Sequence, residues 1–469
     1  MNHPHPRVLA IPYPAQGHVL PLMELALCLV RQGIRVTFVN SEFDHKRVTK
    51  SLSQEDNVPA MMQLVSIPDG LESWEDRNDL IKLTLSVYQV MPANLECLIK
   101  SITQSDSDKI TCIVADETMG WALEIAKKMR IKAVAFWPAS ASLLAVHGLA
   151  QIFSIPKLID DGIISSTGTV LKNQMVKLSP TLPEMKPEHL VWTCFSDLTL
   201  QKFSFDTFLK SNTMVKLADW FICNTSCELE AAAFTLFPQI LPVGPLLASN
   251  RLGKSVGSFG PEDSDCLAWL DKQPPQSVIY VAFGSFTVFD PTQFRELALG
   301  LELINRPFLW VVRQDLTTET DNAYPEGFKD RIQGRGLLAG WAPQQQVLSH
   351  PSVACFLSHC GWNSTIEGLS SGVPFLCWPY FADQFLNEKY ICDVWKIGLG
   401  FERDANGIIA REEIKNKIEQ LLTVGESKKR ALKLKTKVIN SVSKDGSSGK
   451  NFNNLVQWIK AEKNYSCSG

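Results

Sequence analysis

The 469-residue chain predicts an α/β protein of two doubly wound domains, and three observations carry that expectation. Short apolar runs alternate with stretches of helical periodicity through both halves. A Ser- and Gly-rich stretch, 247–263 (LASNRLGKSVGSFGPED), interrupts the alternation as a linker would. The length also exceeds what one ordinary core covers. Two such halves facing each other would leave a cleft, with ligands held beyond the carboxyl ends of the strands. The expected division is 1–246, the linker 247–263, 264–447, and a final segment 448–469.

In the first half, residues 8–13 (VLAIPY) read as a buried strand and Pro-Ala-Gln-Gly as the turn after it. A helical pattern then carries His18 near its start and runs to Gln32, where Gly33 stops it. Arg35–Asn40 completes a βαβ unit. A helix over 79–101, a strand Ile110–Ala115 ending at Asp116, a helix Glu117–Met129 and strands Ala133–Trp137 and Trp220–Asn224 follow. Residues 155–215, with four prolines, read as irregular. The second half restarts with a helix Asp265–Asp271 and a strand Val278–Phe283 running into Gly284-Ser285. Strands Phe308–Val312, Leu337–Trp341, Ala354–Ser358 and Pro374–Trp378 are expected, with helices near 291–304, from Asn363, and over 384–394, 411–423, 426–442 and 448–462.

Composition narrows the function. The chain is 45% hydrophobic and 20% charged, with a formal net charge of -3 and no long basic run, which excludes a nucleic-acid binder. Twelve cysteines without paired spacing read as reduced core residues of a cytoplasmic protein. The apolar run 19–30 is interrupted by Glu24 and followed by no small-residue cleavage site, so a signal peptide is not expected. No apolar run reaches the roughly 18–20 residues of a membrane span. No metal is expected, because the Asp and His spacings form no ligand cluster.

Chemistry-bearing residues cluster at predicted strand ends. His18 sits beyond the first strand, where a neutral imidazole could take a proton; a lone histidine in such a glycine-containing loop is more often structural. Asp116 could orient His18 or cap the helix opening at Glu117. The stretch Trp341–Gln384, WAPQQQVLSHPSVACFLSHCGWNSTIEGLSSGVPFLCWPYFADQ, is rich in groups that suit an anionic nucleotide. Trp341 offers a stacking face, or a core Trp at a strand end. His359 precedes a predicted helix opening at Gly361-Trp362-Asn363-Ser364-Thr365, whose free N–H groups attract phosphate. Ser364-Thr-Ile-Glu367 also fits the S-x-x-E capping box.

These 44 residues, from Trp-Ala-Pro-Gln through His-Cys-Gly-Trp-Asn-Ser to Asp-Gln, resemble the plant secondary product glycosyltransferase box of family-1 UDP-sugar glycosyltransferases. The match to Pro-Ala-Gln-Gly-His18 and to Val-Ala-Asp116 extends it over most of the chain. The resemblance implies the GT-B fold, with the last helix crossing back onto the first domain. It implies His18 as general base and Asp116 as its orienting acid. It also implies UDP contacts from Ser285, Trp341, Ala342, Gln344, His359, Asn363, Ser364 and Glu367. Trp362, Asp383 and Gln384 match sugar-contact positions, the closing Gln being associated with glucose. Tyr13, Thr118, His147 and Phe381 align with acceptor-pocket positions. Where many relatives carry Thr or Ser after the Phe136-Trp137 pair, this chain has Pro138, which has no donor; Ser140 is the nearest substitute for the sugar's 6-hydroxyl contact.

The function expected is an inverting, UDP-glucose-dependent O-glucosyltransferase acting on a small apolar aglycone, as a monomer without a cofactor or membrane span. Its alternatives are a transferase using another UDP-sugar and a non-catalytic nucleotide-sugar binder of the same fold. An NAD-linked oxidoreductase is rejected, because Gly334-Arg-Gly336-Leu-Leu-Ala-Gly340 is off the fingerprint and runs into a strand. A Ser hydrolase is rejected for want of a G-x-S-x-G elbow.

Overall fold

A computed structural model describes residues 6–51, 58–103, 109–147, 154–177, 179–248, 263, 265–313, 315–317 and 323–461. The expected linker 247–263 lies outside the described residues but for Leu247, Ala248 and Asp263. The chain forms two compact units. One comprises Met1–Lys172, Phe195–Gly260 and Asn440–Gly469; the other comprises Asn173–Cys194 and Pro261–Ile439.

The first unit is built on a seven-stranded sheet, ordered β3-β2-β1-β4-β5-β6-β7. Its strands are β1 (Arg7–Ile11), β2 (Arg35–Ser41), β3 (Met62–Ile67), β4 (Cys112–Asp116), β5 (Lys132–Trp137), β6 (Trp220–Cys223) and β7 (Ile240–Pro242), every neighbouring pair parallel. Buried residues fill β4 and β5 without alternation, as a parallel sheet covered on both faces requires. The helix Gln16–Arg31 follows β1 and ends where Gly33 takes φ +76°, a left-handed conformation that costs glycine little. The last helix, Ser447–Lys460, buries Leu455, Val456 and Ile459 in this unit's core. Lys132 Nζ donates to the Trp458 carbonyl at 2.6 Å, and Asn451 Nδ2 to that of Pro242 at 2.9 Å.

The second unit has six parallel strands, ordered β10-β9-β8-β11-β12-β13. They are β8 (Val278–Ala282), β9 (Phe308–Val311), β10 (Gly336–Ala339), β11 (Val353–Ser358), β12 (Phe375–Cys377) and β13 (Gly398–Gly400). Trp310, Trp378, Phe283 and Phe294 anchor its core.

Several elements differ from the expectation, β7 and β13 among them, and two are instructive. Residues 155–215 are not irregular throughout: Leu198–Val215 is a helix capped by Asp197, whose carboxylate accepts the Thr199 N–H at 2.7 Å. Its buried positions include Ser211 and Asn212, so its inner face does not read as an apolar stripe. Strand β3 lies at the sheet edge, where a half-exposed strand needs no apolar run.

The strand orders place function. Each sheet reverses its winding direction once, between β1 and β4 in the first and between β8 and β11 in the second. Crevices at the carboxyl ends of such strand pairs are where doubly wound folds bind ligands.

Candidate functional site

At the first reversal, His18 lies just past β1 and Asp116 ends β4. His18 Nδ1 is 2.8 Å from Asp116 Oδ2, and the side chains are 30% and 0% exposed. The other carboxylate oxygen, Oδ1, accepts from the Thr118 N–H at 3.0 Å and from the Thr118 hydroxyl at 2.6 Å. The two sequence readings of Asp116 therefore coexist: one oxygen holds the imidazole and the other caps the short 3-10 turn Glu117–Met119. Thr118 braces Asp116, and its carbonyl accepts from the Tyr88 hydroxyl at 2.8 Å. Tyr13 packs its ring 5.3 Å from that of His18 and shares a 2.8 Å hydrogen bond with Thr84. Burial pushes the Tyr13 phenol up to about 12, so it remains protonated.

Glu117 is as buried as Asp116 and has the opposite fate. Neither carboxyl oxygen has a hydrogen-bond partner among the described residues. Burial, then the Asp116 charge, raise its pKa to about 8, so the group is a neutral acid at neutral pH.

At the second reversal, the loop after β8 carries Gly284-Ser285 and the loop after β11 carries His359-Cys360-Gly361. A side-chain carbon at Gly284, or at Gly361, would lie 2.5 Å from His359 Nε2, so only glycine fits on either side of the imidazole. Burial first, and the Arg313 guanidinium second, hold the His359 pKa down to about 4. His359 is therefore neutral at pH 7.

The helix beyond it spans Trp362–Ser371, with Gly361 as N-cap and no side-chain cap. Ser364 and Glu367 therefore lie inside the helix, and the capping-box reading is wrong: the helix opens before Ser364. Glu367 instead meets Gln344, whose Nε2 donates to Glu367 Oε2 at 2.6 Å and to Ser364 Oγ at 2.8 Å. Tyr280 orients that amide, its hydroxyl donating to Gln344 Oε1 at 3.0 Å. Asn363 stands in the first helical turn. Trp341 lies past the end of β10 and is partly exposed, not a core residue, while Ala342 beside it is buried.

Trp362 is buried, its ring 6.5 Å from that of Trp395. The Gln384 amide oxygen accepts the N–H groups of Tyr380 (2.7 Å) and Phe381 (3.1 Å), fixing the loop before it. Asn387, which the sequence reading missed, donates to both Asp383 Oδ2 (2.7 Å) and the Cys360 carbonyl (2.8 Å), tying the Asp383 loop to the His359 loop. Phe381 tilts against Phe286 at 6.3 Å. His147 ends the helix Ala141–His147, and its side chain lies outside the described residues. Ser140 is fully buried and its hydroxyl accepts the Leu143 N–H at 3.0 Å, the role of a helix cap. Among the described residues, no group of three or more His, Cys, Asp or Glu is placed to hold a metal ion, and no helix is long and apolar enough to cross a membrane.

Comparison with known proteins gives a consistent result. Residues 7–439 match the family described as UDP-glucoronosyl and UDP-glucosyl transferase. The chain is similar to UDP-glycosyltransferase 83A1 of Arabidopsis thaliana, 48% identical with 99% of this chain and 98% of that protein covered. It is also similar to the 7-deoxyloganetin glucosyltransferase of Catharanthus roseus, 34% identical with 98% of each covered. Among solved structures it resembles Os79 from O. sativa in complex with UDP, at a TM-score of 0.81 and 25% identity, covering 96% of this chain and all of that one.

Proposed function

The chain belongs to the family-1 UDP-glycosyltransferases, and on that premise we propose that it is an inverting, UDP-glucose-dependent O-glucosyltransferase. Its acceptor is a small, largely apolar plant metabolite of the flavonoid, phenolic or terpenoid kind, and it works as a cytoplasmic monomer. The observation that carries the reading is the 2.8 Å contact of His18 Nδ1 with the buried Asp116 carboxylate. With Nδ1 held by the carboxylate, Nε2 is the nitrogen that takes the proton, and the carboxylate stabilises the imidazolium that results.

In the proposed reaction the acceptor oxygen attacks the anomeric carbon while its proton passes to His18 Nε2. The anomeric C–O bond to the diphosphate breaks on the opposite side, so an α-linked donor gives a β-glucoside and UDP. Trp341 stacks the uracil and Glu367 accepts the ribose hydroxyls, exchanging Gln344 for them. The N–H groups at the start of the helix Trp362–Ser371, with Ser285, Asn363, Ser364 and His359, receive the diphosphate. No metal or other cofactor is invoked. Trp362, Asp383 and Gln384 hold the sugar: with the Gln384 oxygen taken by backbone, its amide nitrogen is the group left to donate to a ring hydroxyl.

The relatives named as glucosyltransferases favour glucose as the sugar. The test is a mass-spectrometric screen of aglycones with UDP-glucose, followed by catalytic efficiencies for three donors on one good acceptor. UDP-galactose should be worse by about 1–3 kcal/mol, because inverting one hydroxyl strands a buried partner. UDP-xylose should be penalised less, since Pro138 has no donor and the Ser140 hydroxyl is buried in a helix cap. Equal use of UDP-galactose would overturn the glucose assignment.

A further inference from the structure

The second unit contains a buried cation that lies behind the diphosphate loop. Arg313, just past β9, is 7% exposed. Its Nη1 donates to the Gly284 carbonyl at 2.6 Å and its Nη2 to the Thr287 carbonyl at 2.7 Å. Both carbonyls belong to the loop that carries Ser285. The Asp315 carboxylate, 3.2 Å from Arg313 Nε, is 68% exposed, so water solvates it and it offsets the guanidinium charge only in part.

Three consequences follow from that geometry. The Gly284–Ser285 peptide is trans, so its C=O and N–H point to opposite sides. Drawing the carbonyl onto Arg313 turns the Ser285 N–H away from the guanidinium. Gly284 accommodates this at φ +67°, and Ser285 makes no hydrogen bond of its own among the described residues. Second, the open face of Gly284 is filled by His359, so Arg313, the loop and the imidazole form one packed block. Third, the same cation helps to keep His359 neutral, so the imidazole alone brings no charge to an incoming anion. A guanidinium stays ionised when buried and keeps its charge at a fixed place.

We infer that Arg313 is a positioning residue of the donor site: it aims the Gly284–Ser285 peptide outward and provides the fixed positive charge behind a nucleoside diphosphate. The inference rests on the reading that this loop receives the diphosphate. Leaving-group charge develops there in the transition state, where a preoriented cation and N–H group act without reorganising.

The experiment compares UDP and uridine affinities by calorimetry for the wild type, Arg313→Met, Arg313→Lys and His359→Asn, with thermal melting of each. Arg313→Met should lower UDP affinity at least tenfold and leave uridine affinity within about twofold. Arg313→Lys, which keeps the charge but loses one carbonyl tie, should recover part of the UDP affinity. If Arg313→Met unfolds, Arg313→Lys carries the test alone and must still lower the UDP-to-uridine ratio. Equal losses for UDP and uridine, or no loss, would overturn the role of Arg313. A His359→Asn variant with an unchanged ratio would overturn the diphosphate assignment itself. A lowered ratio in that variant, with Arg313→Met unaffected, would overturn Arg313 only.

Discussion

Each unit presents a histidine at the carboxyl ends of the strands where its sheet reverses direction, and the two stand in opposite electrostatic company. His18 faces a buried carboxylate, Asp116, at 2.8 Å. His359 is wedged between two glycines with a buried guanidinium nearby, and its pKa is held to about 4. The same side chain is thus prepared for two jobs. A carboxylate held 2.8 Å from the ring suits a group that accepts a proton during reaction. Beside Arg313 the imidazole is kept neutral, which suits a hydrogen-bond donor to an anion whose own charge is met elsewhere. The lesson is that the partner, more than the histidine, sets the chemistry.

The sharpest way to break the comparison is to remove His18. His18→Ala should lower turnover by about 10²–10⁴-fold and leave UDP affinity unchanged, since general-base loss touches the acceptor step alone. Steady-state rates and UDP calorimetry check it, and near-normal turnover would end the general-base assignment.

The next test asks whether Glu117, next in the chain to Asp116, stays protonated in the fold. Glu117 has a folded pKa of about 8 against 4.5 when exposed, so the native state holds a proton that the unfolded chain releases between those values. Its contribution to stability is complete below pH 4.5 and is lost as pH rises towards 8. Glu117→Gln removes that dependence. Relative to the wild type it should gain on the order of 4 kcal/mol between pH 4.5 and 8, read from denaturant unfolding at both pH values. A parallel pair of curves would show Glu117 ionised in the fold, and would put a second charge next to Asp116.

The smallest effect separates the two oxygens of Asp116. Asp116→Asn and Asp116→Ala should both slow transfer, but only Ala abolishes the cap on Thr118, at a cost of about 1 kcal/mol. Equal melting temperatures for the two variants would remove the capping role and leave only the bond to His18.

Much of this is legible in the sequence. The doubled βα alternation, Gly33 as a helix stop, and the 44-residue box are local patterns, set by side-chain periodicity and by backbone freedom at single residues. His18 and Asp116 could be named because each closes a recognisable strand or turn. What the sequence by itself determined is therefore which residues lie at the carboxyl ends of strands. The tertiary structure decided which of them meet. Asp116 and Glu117 are adjacent acids, and only the packing gives one a histidine and a threonine and the other no hydrogen-bond partner among the described residues. Ser364 and Glu367 have the spacing of a capping box, yet the helix opens at Gly361 and Glu367 turns to Gln344, 23 residues away. Arg313 lies 29 residues from the Gly284 carbonyl it holds, and Asn387 lies 27 from Cys360. Contacts of that separation depend on strand order, which is fixed by how the sheets pack and not by any local pattern.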